Sequence, residues 1–331
     1  MSGASEDEQV GPAWCGETHV VRSRRGEWLP SGWERVTRGV RCRAPIDGDP
    51  FLSQLLGWQE VLPPEARWTH LTAARIRGWW LPPPPADLPV YTVHPHTDRV
   101  RRVGLVAARR TGLSPYELMA GLRVDPAVDV VVSLARDLSE LDLACVVAAA
   151  LASGSCSAAA LSEVAREPGR GMRGLRRVLQ RIDHRYESLW EVMLAELHRA
   201  CGVAVQPQHE VRDPSGCFVA RGDLWLVGTQ RLHEYDGEVH REPGQHRADL
   251  RRESDLGRAG WSRRGYTSRD VLHQAVRILA DADHALGRPH DPSRIRPWHT
   301  LLRPSLFTPT GRAAFAARFG LSFDTSSRRA S

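Results

Sequence analysis

Five side chains in the second half of the chain have the types and spacing for chemistry: Glu191, Asp223, Glu234, Asp236 and His240. Two runs of strand-forming residues, Phe218 to Val227 and Gln230 to Gly237, flank Gly228-Thr229. A short glycine-containing turn between such runs predicts a hairpin. With a two-residue loop, Val227 faces Gln230, which sets Asp223 directly opposite Glu234 and Arg221 opposite Asp236. Like charges directly opposite each other are destabilising, so the two carboxylates call for a proton or a cation between them. A divalent metal with oxygen ligands meets that need. Two plainer readings stay open: solvated carboxylates on an exposed sheet face, and an ordinary Arg221–Asp236 ion pair.

The elements that must position these residues are legible on either side. Trp190, Met193, Leu194, Leu197 and Cys201 recur at helical spacing, with Gly202 as the C-terminal stop. Glu191 falls at the edge of that apolar stripe. Downstream, residues 245–260 are helical in pattern and of mixed charge. Arg247 and Arg252 on that helix are candidates for phosphate contact, with surface ion pairing as the alternative. Ser268 to Leu279 predicts a last amphipathic helix, and 287–331 reads as an extension with little structure of its own.

The ordered set Ser188-Leu-Trp-Glu191, Gly202, Pro207-Gln208, Gly216, Asp223, Glu234-Tyr-Asp-Gly237, His240, Asp249-x-x-Arg252, Leu256 and Gly260-Trp261 resembles one known family. It is similar to the restriction-endonuclease-like domain related to very-short-patch-repair nucleases, within the PD-(D/E)XK superfamily, over about residues 186–280. The resemblance implies an α/β (α+β) fold with a mixed sheet flanked by helices, preceded here by a smaller α+β domain. It also implies metal-dependent hydrolysis of DNA phosphodiester bonds. Mg²⁺ or Mn²⁺ would be held by Asp223 and Glu234, with Glu191 supporting the site. Asp236 and His240 match the acidic-Gly-His segment of the family. The superfamily's usual lysine is missing, but relatives of this subgroup also lack it and carry Asp at the position of Asp236. Arg263 and Arg264 fall where relatives have buried aliphatic residues. An unpaired buried guanidinium is costly, which predicts a strand that is shifted, at an edge, or lost. That departure keeps a second reading open: a catalytically inactive DNA-binding regulator, antitoxin-like, of a phage-defence or toxin–antitoxin system.

The first half carries its own likeness. Thr37-Arg-Gly-Val40, His70-Leu-Thr-Ala-Ala74, Gly78 and Ser133-Leu-Ala135 are similar to the N-terminal region of abortive-infection type IV antitoxin-like proteins. In actinobacterial relatives that region precedes the nuclease-like domain. Relatives begin with a winged helix-turn-helix that Thr18 to Leu29 does not make, and they carry an Arg and an Asp where this chain has Asp129 and Ser133, so residue roles do not carry over. The pattern predicts helices over Pro50 to Leu62, over residues 69–78 with Thr69 as N-cap, and over Leu138 to Leu151. Strands are expected at 90–93 and 103–107, and His70 reads as a capping or core-edge residue. The expected division is a poorly ordered 1–28, an antitoxin-like α+β region 29–160, an Arg-rich connector 161–185, the nuclease-like domain 186–286, and the extension 287–331.

Composition adds limits rather than an answer. The chain of 331 residues contains no lysine and no asparagine, so all 45 of its basic residues are arginine, against 39 acidic ones. The net charge of +6 is spread along the chain and favours anionic partners only mildly. Six cysteines without a Cys-x-x-Cys pair carry no zinc-ligand spacing. The N-terminal residues lack a signal-peptide pattern. The longest apolar stretch, Val128 to Ala152, is interrupted by charges and cannot span a bilayer. The expected location is cytoplasmic, with DNA as partner and no membrane. A homodimer and a toxin or other defence-system partner both stay open.

Overall fold

A computed structural model describes residues 19–22, 32–43, 48–85, 88–95, 100–237 and 243–319; at residue 19 and residues 243–250 the description is of the backbone. The chain divides into two compact units. The first takes residues up to Arg77 together with Pro89–Pro126, the second Gly78–Leu88 and everything from Ala127. Both mix helices with sheets, and the chain is of the α+β class. Among the described residues no helix is long and apolar enough to cross a membrane.

In the first unit, β1 (His19–Arg22), β2 (Glu34–Thr37) and β3 (Val40–Arg43) form an antiparallel sheet in the order β1-β3-β2. The β2–β3 turn uses Gly39 at φ +82°, a conformation glycine adopts without steric cost. Helix α1 (Pro50–Gln59) starts as its sequence dictates: the Asp49 carboxylate accepts from Phe51 N at 2.8 Å, and Pro50 occupies the first turn. A second sheet joins β4 (Arg67–Trp68), β5 (Val90–Pro95), β6 (Leu105–Arg110), β7 (Glu117–Met119) and β8 (Leu122–Val124) in the order β6-β5-β4-β8-β7. Helix α2 (His70–Ile76) follows β4. The expected Thr69 side-chain cap does not form, because the hydroxyl donates to the buried carboxylate of Asp125 at 2.9 Å instead. His70 is a core-edge residue, stacked on Tyr91 with ring centroids 5.4 Å apart.

The second unit opens with α3 (Ala127–Ala135), α4 (Glu140–Ala152), α5 (Ala158–Arg166) and α6 (Met172–Leu179). The boundary therefore lies at residues 126/127, not near 160, and the Arg-rich connector is helical. Ten consecutive residues of α4, Leu141 to Ala150, are buried, which explains its apolar sequence. The arginines of the connector are largely engaged. Arg177 pairs with Glu140, Arg166 with Glu163, and Arg181 with Glu196 at 2.8 Å.

The remainder runs α7 (Leu189–Ala200), β9 (Val205–Arg212), β10 (Phe218–Leu226), β11 (Arg231–Tyr235), α8 (Pro243–Arg258) and β12 (Ser262–Tyr266). Its sheet has the order β12-β11-β10-β9, antiparallel except for the parallel β11–β12 pair. The single helix expected at 268–279 is two, α9 (Ser268–His273) and α10 (Ala275–Ala285), broken at Gln274. A 3-10 turn (Pro292–Ile295), α11 (Arg296–Leu302) and α12 (Pro309–Arg318) follow. The C-terminal extension is therefore structured as far as residue 319. Trp298 is fully buried, and the buried carboxylate of Asp142 accepts from Ser305 Oγ and from Leu306 N at 3.0 Å. Arg288, Arg294 and His290 converge on Asp283, at 2.6, 2.6 and 3.0 Å. Burial pushes that carboxyl up, but these three donors outweigh it and hold it below its ordinary range.

Candidate functional site

Three antiparallel strands and one helix bring the carboxylates together. Leu224 pairs with His233 and Trp225 with Leu232, the register expected from sequence, and one step further sets Asp223 opposite Glu234. The turn differs from the expected one. Thr229 N donates to Leu226 O at 3.1 Å, so Val227-Gly228 form its centre, with Gly228 at φ +87°. The Thr229 hydroxyl then accepts from Arg231 N at 3.1 Å, and the longer connection keeps the same pairing. On the other side of β10, Gly222 pairs with His209 and Leu224 with Pro207, which places Gln208 opposite Asp223. Glu234 pairs in turn with Gly265 on β12. Gln208, Asp223, Glu234 and Gly265 thus form one row across the sheet.

Each carboxylate in and beside that row has defined partners. Asp223 Oδ2 accepts from Tyr235 N at 2.8 Å. Burial, then the neighbouring charge of Glu191, and also that of Glu234, push its pKa up to about 7 despite this bond and the nearby Arg252. Glu191 sits in the first turn of α7, whose N-cap Ser188 accepts from Glu191 N at 3.2 Å. Its Oε2 accepts from Glu187 N at 2.9 Å and from Gln208 Nε2 at 2.8 Å. Burial raises its pKa against those bonds. Gln208 is held at φ +51°, an uncommon conformation for a residue with a side chain.

Glu234 is the most heavily engaged of the three. Arg252 on α8 donates to Oε1 at 2.6 Å and Arg263 on β12 to Oε2 at 3.0 Å. The same Arg252 nitrogen donates to Arg221 O at 2.6 Å. The Arg263-Arg264 problem is resolved accordingly: β12 is an edge strand, Arg264 is exposed, and Arg263 is paired rather than buried alone. Arg221 pairs with Glu187 at 2.6 Å. Asp236 turns toward β12. Its N–H donates to Tyr266 O at 2.9 Å, and its carboxylate lies so close over Gly265 that a Cβ there would sit 1.8 Å from Oδ2. His240 lies outside the described residues, as does the side chain of Arg247 on α8.

Sequence reasoning missed Gln208 as a carboxylate partner, although its place in the ordered motif set marked it. It also missed two buried histidines behind the row. His198 Nε2 and His233 Nδ1 are 2.9 Å apart, His198 Nδ1 is 2.7 Å from Leu194 O, and His233 Nε2 is 3.4 Å from Tyr266 Oη. Since Leu194 O can only accept, His198 carries its proton on Nδ1 and His233 donates through Nδ1. Burial drives the His198 pKa down to about 4 and that of His233 well below its ordinary value, so both rings are neutral.

No family model, no curated protein and no solved structure matches the chain. The function rests on the site itself.

The row and the helix beside it carry oxygen donors of the hard-cation type. Glu191, Asp223 and Glu234 offer carboxylate oxygens, the ligand type that Mg²⁺ and Mn²⁺ take. Asp223 and Glu191 each bond through one oxygen among the described residues, whereas both oxygens of Glu234 are occupied by guanidinium groups. Among the described residues no group of three or more His, Cys, Asp and Glu is placed to hold a metal ion. Arg252, whose side chain is 34% exposed, holds one Glu234 oxygen, and Arg263, 15% exposed, holds the other.

Proposed function

We propose that the second unit is a metal-dependent endonuclease that hydrolyses DNA phosphodiester bonds, built on a restriction-endonuclease-like core. The observation that carries this reading is the register that sets Asp223 opposite Glu234 within electrostatic reach of Glu191. The mixed sheet β12-β11-β10-β9, with its one parallel pair and with α7 and α8 in the same run of chain, supports this reading. Asp223 and Glu234 would hold Mg²⁺ or Mn²⁺, with Glu191 as the outer carboxylate fixed by Gln208. A bound divalent ion supplies polarisation of the phosphoryl oxygen and a more acidic water. The chain's own contribution is positional. Tyr235 N–H fixes the Asp223 carboxylate, the Glu187 N–H and Gln208 amide fix Glu191, and Arg252 is placed to meet a phosphate once it leaves Glu234. Nicking of supercoiled plasmid in Mg²⁺ or Mn²⁺, abolished by EDTA, is the test.

A second reading has an observation of its own. The two guanidinium groups on Glu234 already neutralise it, as they would in a protein that binds DNA without cutting it. A mobility shift with no nicking in either metal would favour that regulator or antitoxin-like role.

A further inference from the structure

The first unit carries an open cleft of about 1190 Å³ whose walls are strongly cationic. Arg22 at the end of β1, Arg35 on β2, Arg38 in the β2–β3 turn, and Arg101 and Arg102 before β6 all line it. Glu60, just after α1, is its one acidic residue among those described, and Arg22 already engages it, donating to the Glu60 carbonyl at 2.9 Å with the carboxylate 3.8 Å away. Among the described residues no carboxylate lies in ion-pair range of Arg35, Arg38, Arg101 or Arg102, although surface arginines elsewhere in the chain are commonly paired.

Guanidinium groups that have no carboxylate partner among the described residues repel each other on one concave wall, where Arg102 donates only to the Arg38 carbonyl at 3.3 Å among those residues, and low-dielectric walls concentrate their field. Such an arrangement lowers its energy by taking up a polyanion. The cleft is too large and open to fit one phosphate, and its cations come from three separate segments, so its ligand carries several spaced negative charges. Among the described residues no aromatic side chain lines it, so the described wall offers charge rather than the stacking surface of a base-reading, single-strand site. Guanidinium groups are the usual partners of phosphate oxygens. We infer that this cleft binds the sugar-phosphate backbone of a duplex polynucleotide, recognised by charge and spacing rather than by base. The inference stands apart from the nuclease reading, since it uses neither the carboxylate row nor any residue of the second unit.

The test is fluorescence anisotropy of the full chain with a labelled short DNA duplex in EDTA, over a range of salt concentrations. The variant is Arg35→Gln/Arg38→Gln/Arg101→Gln, all exposed side chains. The control removes the same charge from exposed arginines of the second unit, Arg173→Gln/Arg277→Gln/Arg303→Gln. The cleft variant should bind more weakly, and its salt slope should fall by roughly 2–3, at about 0.9 per lost phosphate contact. The control should keep the slope of the unaltered chain. An unchanged slope in the cleft variant, or an equal loss in both variants, would overturn the inference. So would tight binding of a polyglutamate peptide with no binding of duplex, which would assign the cleft to an acidic protein instead. Binding is read in EDTA, where no metal-dependent cleavage occurs, and nicking is read on the unaltered chain beside Asp223→Asn, so the two proposals fail separately.

Discussion

Arg263 donates to Glu234 Oε2 at 3.0 Å from the neighbouring parallel strand, and the two side chains are 15% and 5% exposed. The arginine that departs from an aliphatic strand is thus a neutralising partner of a site carboxylate. Arg263→Met should leave Glu234 with Arg252 alone and cost about 1–3 kcal/mol, because a buried charged group loses a donor. Urea unfolding measures this. Adding Glu234→Gln should recover part of the loss; a double variant as unstable as the sum of the singles would deny the coupling.

Gln208→Leu removes one of the two donors to Glu191 Oε2 while keeping the side-chain bulk. The Glu191 carboxyl, already raised by burial, should titrate at still higher pH, since the lost bond favours its charged form. Carboxyl-carbon NMR titration follows it directly. A downward move would mean that Gln208 does not hold this carboxylate.

Gly222 packs against Leu232, and a Cβ at 222 would meet Leu232 Cδ1 at 2.6 Å. Gly222→Ala should therefore cost about 1–3 kcal/mol by overpacking. A second change, Leu232→Val, should relieve much of that cost by shortening the opposing side chain. Thermal unfolding of the single and double variants checks both values.

The hairpin register was readable because strand-forming residues on both sides of Gly228 leave few ways to pair. Even a turn placed one residue away preserves Asp223 opposite Glu234. The helix bearing Glu191 was equally plain from its apolar spacing and Gly202. The partners of these carboxylates were not readable. Arg263 reaches Glu234 only because β12 lies parallel to β11 after a whole helix, a pairing no local pattern encodes. Gln208 meets Glu191 through a left-handed backbone that its residue type does not announce. The C-terminal helices were hidden for another reason. Their proline- and arginine-rich text reads as loose chain, while the groups that fix them, Asp142 and Asp283, lie far back in sequence or on another helix.

Asp142 links pH to the docking of that C-terminal segment. Burial raises its pKa from 3.8 to about 6, against bonds from Ser305, Ser139 and Leu306. A carboxyl with a raised folded-state value binds its proton more tightly when folded. Its contribution is therefore full below pH 3.8 and is lost as pH climbs through about 6. That gap is worth about 3 kcal/mol at most. Asp142→Asn mimics the neutral acid, so its stability relative to the unaltered chain should rise between pH 4 and pH 7. Denaturant midpoints at the two values measure the difference, and a constant offset would contradict the assignment.

The most direct measurement is supercoiled-plasmid nicking by the purified chain in Mg²⁺, in Mn²⁺ and in EDTA, beside Asp223→Asn. Asparagine preserves the shape of the protonated acid, so the variant should fold, which circular dichroism verifies. The nuclease reading predicts metal-dependent nicking by the unaltered chain and its loss in the variant by about a hundredfold or more, the scale of removing one preorganised charge from a hydrolytic site. Equal nicking by both proteins, or none by either in both metals, would contradict it.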